Sequence, residues 1–331
     1  MTIYDIAEKA NVSASTISRV INNKPGVSEK KRREIQKLLD ELHYEPDENA
    51  QNLVKQKSNM IGILTDDLNS RHQNMGTARI QNAILSSGFN CFIKYIGRED
   101  DAVRNSIIDM ARKRVEGVLV LGVSFHDHRP LKKVISRYLP DTPIVLVHQV
   151  KTIDLPNVYA VGADEKKGIQ NCVEKLLEKN RKNLLLMVDE NRTSEEEIKE
   201  SFKQAVKRTQ GINYKIRTGV KATREGGETA LKELYKEYPD MDGLLCVNDS
   251  IAIGAMYALQ DLGKRIPEDV SIIGEDNSES CDACRPKLTS MDPMLAVDTV
   301  MSANILVDVL SGVSRNRSVV LEMEIVERET L

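Results

Sequence analysis

A chain of 331 residues with a formal net charge of −3 has room for two or three domains and carries too little charge to coat nucleic acid along its whole surface. Its 40% hydrophobic and 29% charged content is that of a soluble globular protein, and no apolar run is long enough to span a bilayer. Met1 leads into a helix with no signal peptide, and the five cysteines are odd in number and scattered, so a cytoplasmic chain with reduced thiols is expected.

The chain starts with TIYDIAEKANVSASTISRVINN, which predicts two short helices joined by a tight turn. Thr2 and Asp5 have the spacing of a capping box, so the first helix begins at Ile3, with Ile6, Ala7 and Ala10 on its apolar side. Asn11 to Ser13 makes the turn, and Ser13 caps the second helix. There Ile17, Val20 and Ile21 point one way and Ser15, Ser18, Arg19 and Asn22 the other. A short helix that hides aliphatics and displays Arg, Ser and Asn suits the major groove of DNA. A third helix starts at Val27 and Ser28, with Ile35, Leu38, Leu39 and Leu42 closing a small core. His43-Tyr44-Glu45-Pro46 is expected to end this head region, because the residue before proline is pushed out of helical geometry. Residues 1–33 carry a balance of +4 and residues 34–48 one of −5, a local basic face on an acidic protein.

With VSEKKRREI and LHYEP following, this stretch resembles the headpiece of the lac repressor family of bacterial transcription regulators. The resemblance implies a helix-turn-helix headpiece over residues 1–46 and a hinge helix over 47–58 that folds in the minor groove when operator is bound. Arg19 matches the family's recognition arginine, suited to a bidentate contact with guanine; Ala14 and Ser15 face base edges beside it. Thr16, Ser18 and Asn22 hold the DNA backbone, Lys31 lies near phosphates, and Thr2, Tyr4 and Ser13 complete the expected contacts. In the hinge, Asn49, Ala50 and Leu53 are assigned to DNA. Leu53 stands where the family's wedge leucine inserts between base pairs, or else packs against its dimer mate. Gln51 departs from the family's usual arginine.

From residue 59 aliphatic runs at 60–64, 92–96, 117–122, 143–147, 184–188, 243–247 and 270–274 alternate with helical periodicity at 75–88, 102–113, 130–138, 166–179, 195–209, 225–236, 249–262 and 295–310. This alternation predicts an α/β architecture of parallel sheets covered on both faces, in two lobes with a cleft between them. GKRIPEDVSIIGEDN and PKLTSMDPM again resemble the lac repressor family, whose effector domain has the periplasmic-binding-protein-like fold. That implies an effector-binding and dimerisation domain over 59–331, lobe one about 59–160 and 290–317, lobe two about 161–289 and 318–331. The run SVVLEMEIVE (318–327) is predicted as a single last strand, with no heptad tail after it, which favours a dimer.

Ligands of α/β folds sit at the carboxyl ends of strands, where Asn248 and Asp276 lie and match family effector positions; helix cap and turn former are their alternative roles. LNSRHQNM replaces the family's Asn-Pro-Phe-Phe, and Ile198 and Ser201-Phe202 stand where many relatives carry an arginine before a Gly-aromatic pair. Arg71, His72, Gln149 and Arg192 remain as polar candidates, and their basic members point to an anionic effector such as a sugar phosphate, unless Arg71 and Arg192 are surface loop residues. Cys281-Asp-Ala-Cys284 and His126-Asp-His128 are weak metal or redox signals, and no P-loop, GxGxxG, HExxH or GxSxG pattern is present. The expectation is a regulator and not an enzyme, without cofactor. It acts as a homodimer on a palindromic operator, is bacterial and nucleoid-associated when bound, and is controlled by a sugar or sugar phosphate. The alternative is control by a protein partner, or a non-functional effector pocket.

Overall fold

The computed structural model describes residues 2–21, 23–44, 58–65, 71–96, 101–122, 128–190, 192 and 194–331, the side chains of residues 71, 72 and 128–130 excepted. They divide into two units, Met1–Asn59 and Met60–Leu331.

In the first unit α1 (Ile3–Lys9), α2 (Ala14–Ile21) and α3 (Glu29–Glu41) enclose Ile6, Ala7, Ile17, Val20, Ile35 and Leu39. The capping box is closed on both sides: Asp5 N–H donates to Thr2 Oγ1 (3.3 Å) and Thr2 N–H to Asp5 Oδ2 (2.7 Å). Ser13 Oγ accepts the Thr16 N–H (3.3 Å) to begin α2, and Ser28 Oγ accepts the Lys31 N–H (3.4 Å) to begin α3. Asn11 stands at φ +50°, with its N–H on Glu8 O (3.1 Å) and the Val12 N–H on Ala7 O (3.0 Å). This is a Schellman closure with asparagine in the place glycine usually takes. α3 ends the same way, with His43 at φ +46° and the Tyr44 N–H on Leu39 O (3.0 Å). Backbone closure therefore ends α3 at Glu41, and Glu45 and Pro46 lie outside the described residues.

In the second unit, β1 (Met60–Thr65), α4 (Arg71–Ser86), β2 (Asn90–Tyr95), α5 (Ala102–Arg112), β3 (Gly117–Leu121), α6 (His128–Tyr138), β4 (Ile144–Val147) and β5 (Val158–Ala163) build the first lobe. The second holds α7 (Glu165–Glu178), β6 (Asn183–Asp189), α8 (Glu195–Lys207), β7 (Asn213–Val220), α9 (Arg224–Glu237), β8 (Gly243–Cys246), α10 (Asp249–Asp261), β9 (Ser271–Glu275), α11 (Ser280–Ala283) and β10 (Thr289–Asp292). α12 (Leu295–Leu310) packs back on the first lobe. β11 (Ser318–Leu321) pairs there, and β12 (Glu324–Val326) crosses to the second sheet.

The sheet orders are β11-β5-β4-β3-β1-β2 and β12-β10-β9-β8-β6-β7. Neighbours are parallel except β10 and β12, which agrees with the predicted parallel sheets. Ile144 and Leu146 of β4 enter the core on one side of their sheet, Val145 and Val147 the core on the other. A strand covered on both faces is aliphatic throughout, which is why the central strands stand out in the sequence. β7 is an edge strand with half its residues exposed, and the polar side chains there interrupt the aliphatic pattern by which strands are predicted. β5, β10 and α11 were likewise unforeseen.

The predicted single strand over 318–327 is two. The chain leaves the first sheet at Leu321, buries Met323 between the lobes' strands, and joins the second sheet at Glu324. Assignment of all of 318–331 to lobe two is corrected accordingly, since Ser318–Leu321 pairs in parallel with β5. The two lobes are thus linked by three crossings, β5 to α7, β10 to α12 and β11 to β12.

Candidate functional site

Burial of Ile17 and Val20 turns the opposite side of α2 outward, where Ser15 and Arg19 are exposed and Ala14, Thr16 and Ser18 half-buried. Ser13 Oγ lies 2.8 Å from Ser15 Oγ and 2.9 Å from Thr16 Oγ1, which gathers three hydroxyls at the start of the helix. Such a group can trade its mutual bonds for phosphate oxygens, to which the helix N-terminus adds its own attraction. Thr2 caps α1, and beside it Tyr4 is 74% exposed, an aromatic ring the core does not claim. The Lys31 ammonium donates to Ala10 O (3.3 Å) and pairs with Glu34 (3.3 Å), closing the C-terminus of α1. Arg32 is similarly occupied by Asn23 Oδ1 (3.1 Å) and Lys24 O (2.7 Å). Asn22, Asn49, Ala50 and Leu53 lie outside the described residues.

Three of the six effector candidates meet at the carboxyl ends of the second sheet. Asn248 follows β8; its Oδ1 accepts the N–H of Ser250 (2.9 Å) and Ile251 (3.3 Å), and its Nδ2 donates to Asp276 Oδ2 (3.0 Å). Helix cap and site residue are therefore one side chain. Arg192, in the loop after β6, donates from Nη2 to Glu165 Oε1 at the start of α7 and to Glu275 Oε1 at the end of β9. Glu275 is 3% exposed. Burial pushes its carboxyl up to about 8; Arg192 opposes that shift in part, while Glu165 and Asp276 add to it. Its Oε2 is buried with no hydrogen-bond partner.

Arg192, read from the sequence as a cation for an anionic effector, is already matched by two carboxylates, so the anionic reading loses that support. Glu165 and Glu275 escaped the sequence reading; the available signal was a glutamate ending the aliphatic strand VSIIGE. Gln149 is buried beyond β4 in the first lobe, its N–H on Val161 O (2.8 Å). Next to it His148, at φ +59° and also overlooked, donates from Nδ1 to buried Asp298 Oδ2 (2.8 Å), whose Oδ1 takes Ser302 Oγ (3.1 Å). Arg71 and His72 begin α4, but their side chains lie outside the described residues.

Cys281 donates to Asp249 Oδ2 (3.1 Å), and Cys284 to the carbonyls of Cys281 (3.3 Å) and Pro286 (3.2 Å). Burial, with help from Asp249, pushes the Cys281 thiol up to about 12, and burial also raises Cys284; both act as weak donors within the fold. Asp249 additionally accepts from Ser290 Oγ (2.6 Å) and the Ser278 N–H (2.8 Å), tying the start of α10 to β10 and the loop after Asp276. Among the described residues no group of His, Cys, Asp and Glu is arranged to hold a metal ion. Among them, too, no helix is long and apolar enough to cross a membrane.

Residues 2–47 match the family described as bacterial regulatory proteins, lacI family, and residues 173–331 the periplasmic binding protein-like domain. An HTH-type transcriptional regulator of Lachnoclostridium phytofermentans is 26% identical, over 100% of this chain and 99% of its own. Among solved structures, the lac repressor dimer bound to operator and the anti-inducer ONPF superposes with a TM-score of 0.85 at 23% identity, covering 100% of this chain and 98% of that one. The complex of the transcriptional regulator CelR with cellobiose gives 0.67 at 23% identity, covering 100% and 99%. At such identities the structural likeness is one of fold. Head motif, two-lobed fold and full-length relatives agree: the chain belongs to the lacI family of bacterial transcription regulators, a helix-turn-helix head followed by a periplasmic-binding-protein-like domain, and is a regulator rather than an enzyme.

Proposed function

We propose that the protein is a repressor that binds a near-palindromic operator as a homodimer and is controlled by a small-molecule effector, a sugar or sugar derivative, between its lobes. The observation that carries the DNA reading is the outward polar face of α2, with Arg19 exposed above a buried aliphatic face, in a head that matches the lacI family. Arg19, Ala14 and Ser15 contact base edges; Thr2, Tyr4, Ser13, Thr16, Ser18 and Asn22 hold phosphates and sugars. Lys31 lies near phosphates, and Asn49, Ala50 and Leu53 act in the minor groove. Two-fold symmetry of the dimer then sets the symmetry of the operator.

The effector reading is supported by the meeting of Arg192, Asn248 and Asp276 at strand ends. It is also supported by the cellobiose and ONPF complexes of proteins with this fold. Gln149, Arg71 and His72 contribute to effector binding from the first lobe. The domain limits follow the sequence reading, 1–46, 47–58 and 59–331, with the protein in the bacterial cytoplasm and on the nucleoid when operator-bound.

Selection of random duplexes by the full chain tests the DNA reading. It is expected to return a two-fold symmetric site whose binding weakens steeply with salt. Arg19→Ala is expected to lose about 1–3 kcal/mol of discrimination at one base pair per half-site. Recovery of no preferred sequence would favour control or docking by a protein partner.

A further inference from the structure

The effector region of the second lobe is short of positive charge. One guanidinium, Arg192, faces the carboxylates of Glu165 and Glu275, and the charge of Asp276 acts on Arg192 and Glu275 alike. Asn248 supplies little relief, since its Oδ1 is spent on the cap of α10 and its Nδ2 on Asp276. Glu275 is 97% buried, accepts from Arg192 on Oε1 alone, and keeps Oε2 enclosed without a donor. A buried carboxylate oxygen with no donor is costly; the free protein avoids that cost by keeping Glu275 protonated up to about pH 8, and an arriving cation would take the proton's place.

We infer that the effector carries a protonated amine, received by Glu275 and Glu165 beside the Asn248–Asp276 pair. This rests on the effector reading given above and narrows it to a chemical class. A neutral hydroxyl could bond Glu275 but could not replace the charge of the proton that the free carboxyl holds up to about pH 8. A phosphate or carboxylate would add to it. A metal ion is the other way to supply charge, and the described carboxylates form no group able to hold one. An ammonium brings three donors and the missing charge in one group, and charge-assisted bonds of that kind are the strong ones. The location suits a ligand, because Asn248, Glu275 and Asp276 stand at the carboxyl ends of β8 and β9.

The test is thermal denaturation and calorimetric titration of the full chain. The probes are glucosamine, galactosamine and mannosamine, the three parent hexoses, their 6-phosphates, and putrescine and agmatine as amines without a sugar ring. At least one amine is expected to raise the melting temperature and to bind about tenfold or more tightly than its uncharged counterpart. Glu275→Gln is expected to erase that preference. Parent hexoses or phosphates that bind as well as the amines overturn the inference and leave the effector reading standing. No shift with any probe overturns both.

A second arm needs no ligand. Above pH 8, where Glu275 is charged, Glu275→Gln removes an unmatched charge at constant shape and is expected to raise the melting temperature of the free protein by a few degrees. A fall instead would show that Arg192 already balances Glu275, and would sink the inference whatever the probes do.

Discussion

Asn248 shows how a site side chain can be held in place by its structural work. Its Oδ1 is fixed by two backbone N–H groups at the start of α10, so Nδ2 has one direction left, and Asp276 lies there. Replacement by aspartate would keep the cap and set a second carboxylate against Asp276. Glu275 gives a prediction of its own. Its pKa is raised from the ordinary 4.5 to about 8 by burial, so between those values the folded state holds a proton that the unfolded state releases. Unfolding therefore releases protons in that window, and stability contributed by this group is full below about 4.5 and falls as pH rises towards 8. Denaturant melts of the full chain at a series of pH values should show the decline, and Glu275→Gln should flatten it. A stability that rises over the window in the parent and is unchanged in the variant would rule the account out.

At the level of elements, β5 is held against the end of β4 by a glycine. A Cβ on Gly162 would lie 2.6 Å from the backbone carbon of Gln149, and the Gln149 N–H bonds Val161 O alongside. Gly162→Ala is expected to force the two segments apart and to cost about 1–3 kcal/mol in urea melts. Effector binding should weaken as well, because Gln149 moves with its backbone; an alanine variant with unchanged stability would contradict the close approach. The same elements explain what the sequence disclosed. The head was legible because Thr2, Asp5, Ser13 and Ser28 cap helices through local bonds at fixed spacing. β4 was legible because both faces are buried and every residue is aliphatic, whereas the interior strands β5 and β10 carry Tyr159, Gly162, Thr289 and Ser290, and the edge strand β7 mixes polar and apolar residues. The double partnership of Arg192 could not be read at all. Its two carboxylates lie 27 and 83 positions away, and nothing local in ENRTSEEE announces either of them.

On the scale of the whole second unit, two separate sets of buried side chains are joined by three crossings. The cores are distinct, Ile61, Ile63 and Leu306 belonging to one lobe and Leu186, Phe202 and Met291 to the other. Yet Met323, on the last crossing, is buried in the second core directly after β11 has paired in the first sheet. Loss of either sheet pulls on the edge strand of the other, so calorimetry of the full chain is expected to show one transition for residues 60–331 and not one per lobe. Two well-separated lobe transitions would refute this coupling. The crossings also bear on how such a gene can change. Neither lobe is encoded by one continuous stretch, whereas the head is, ending by Asn59. Recombination can therefore hand an existing sensor a new genomic address in a single exchange, while a new ligand specificity has to be reached codon by codon.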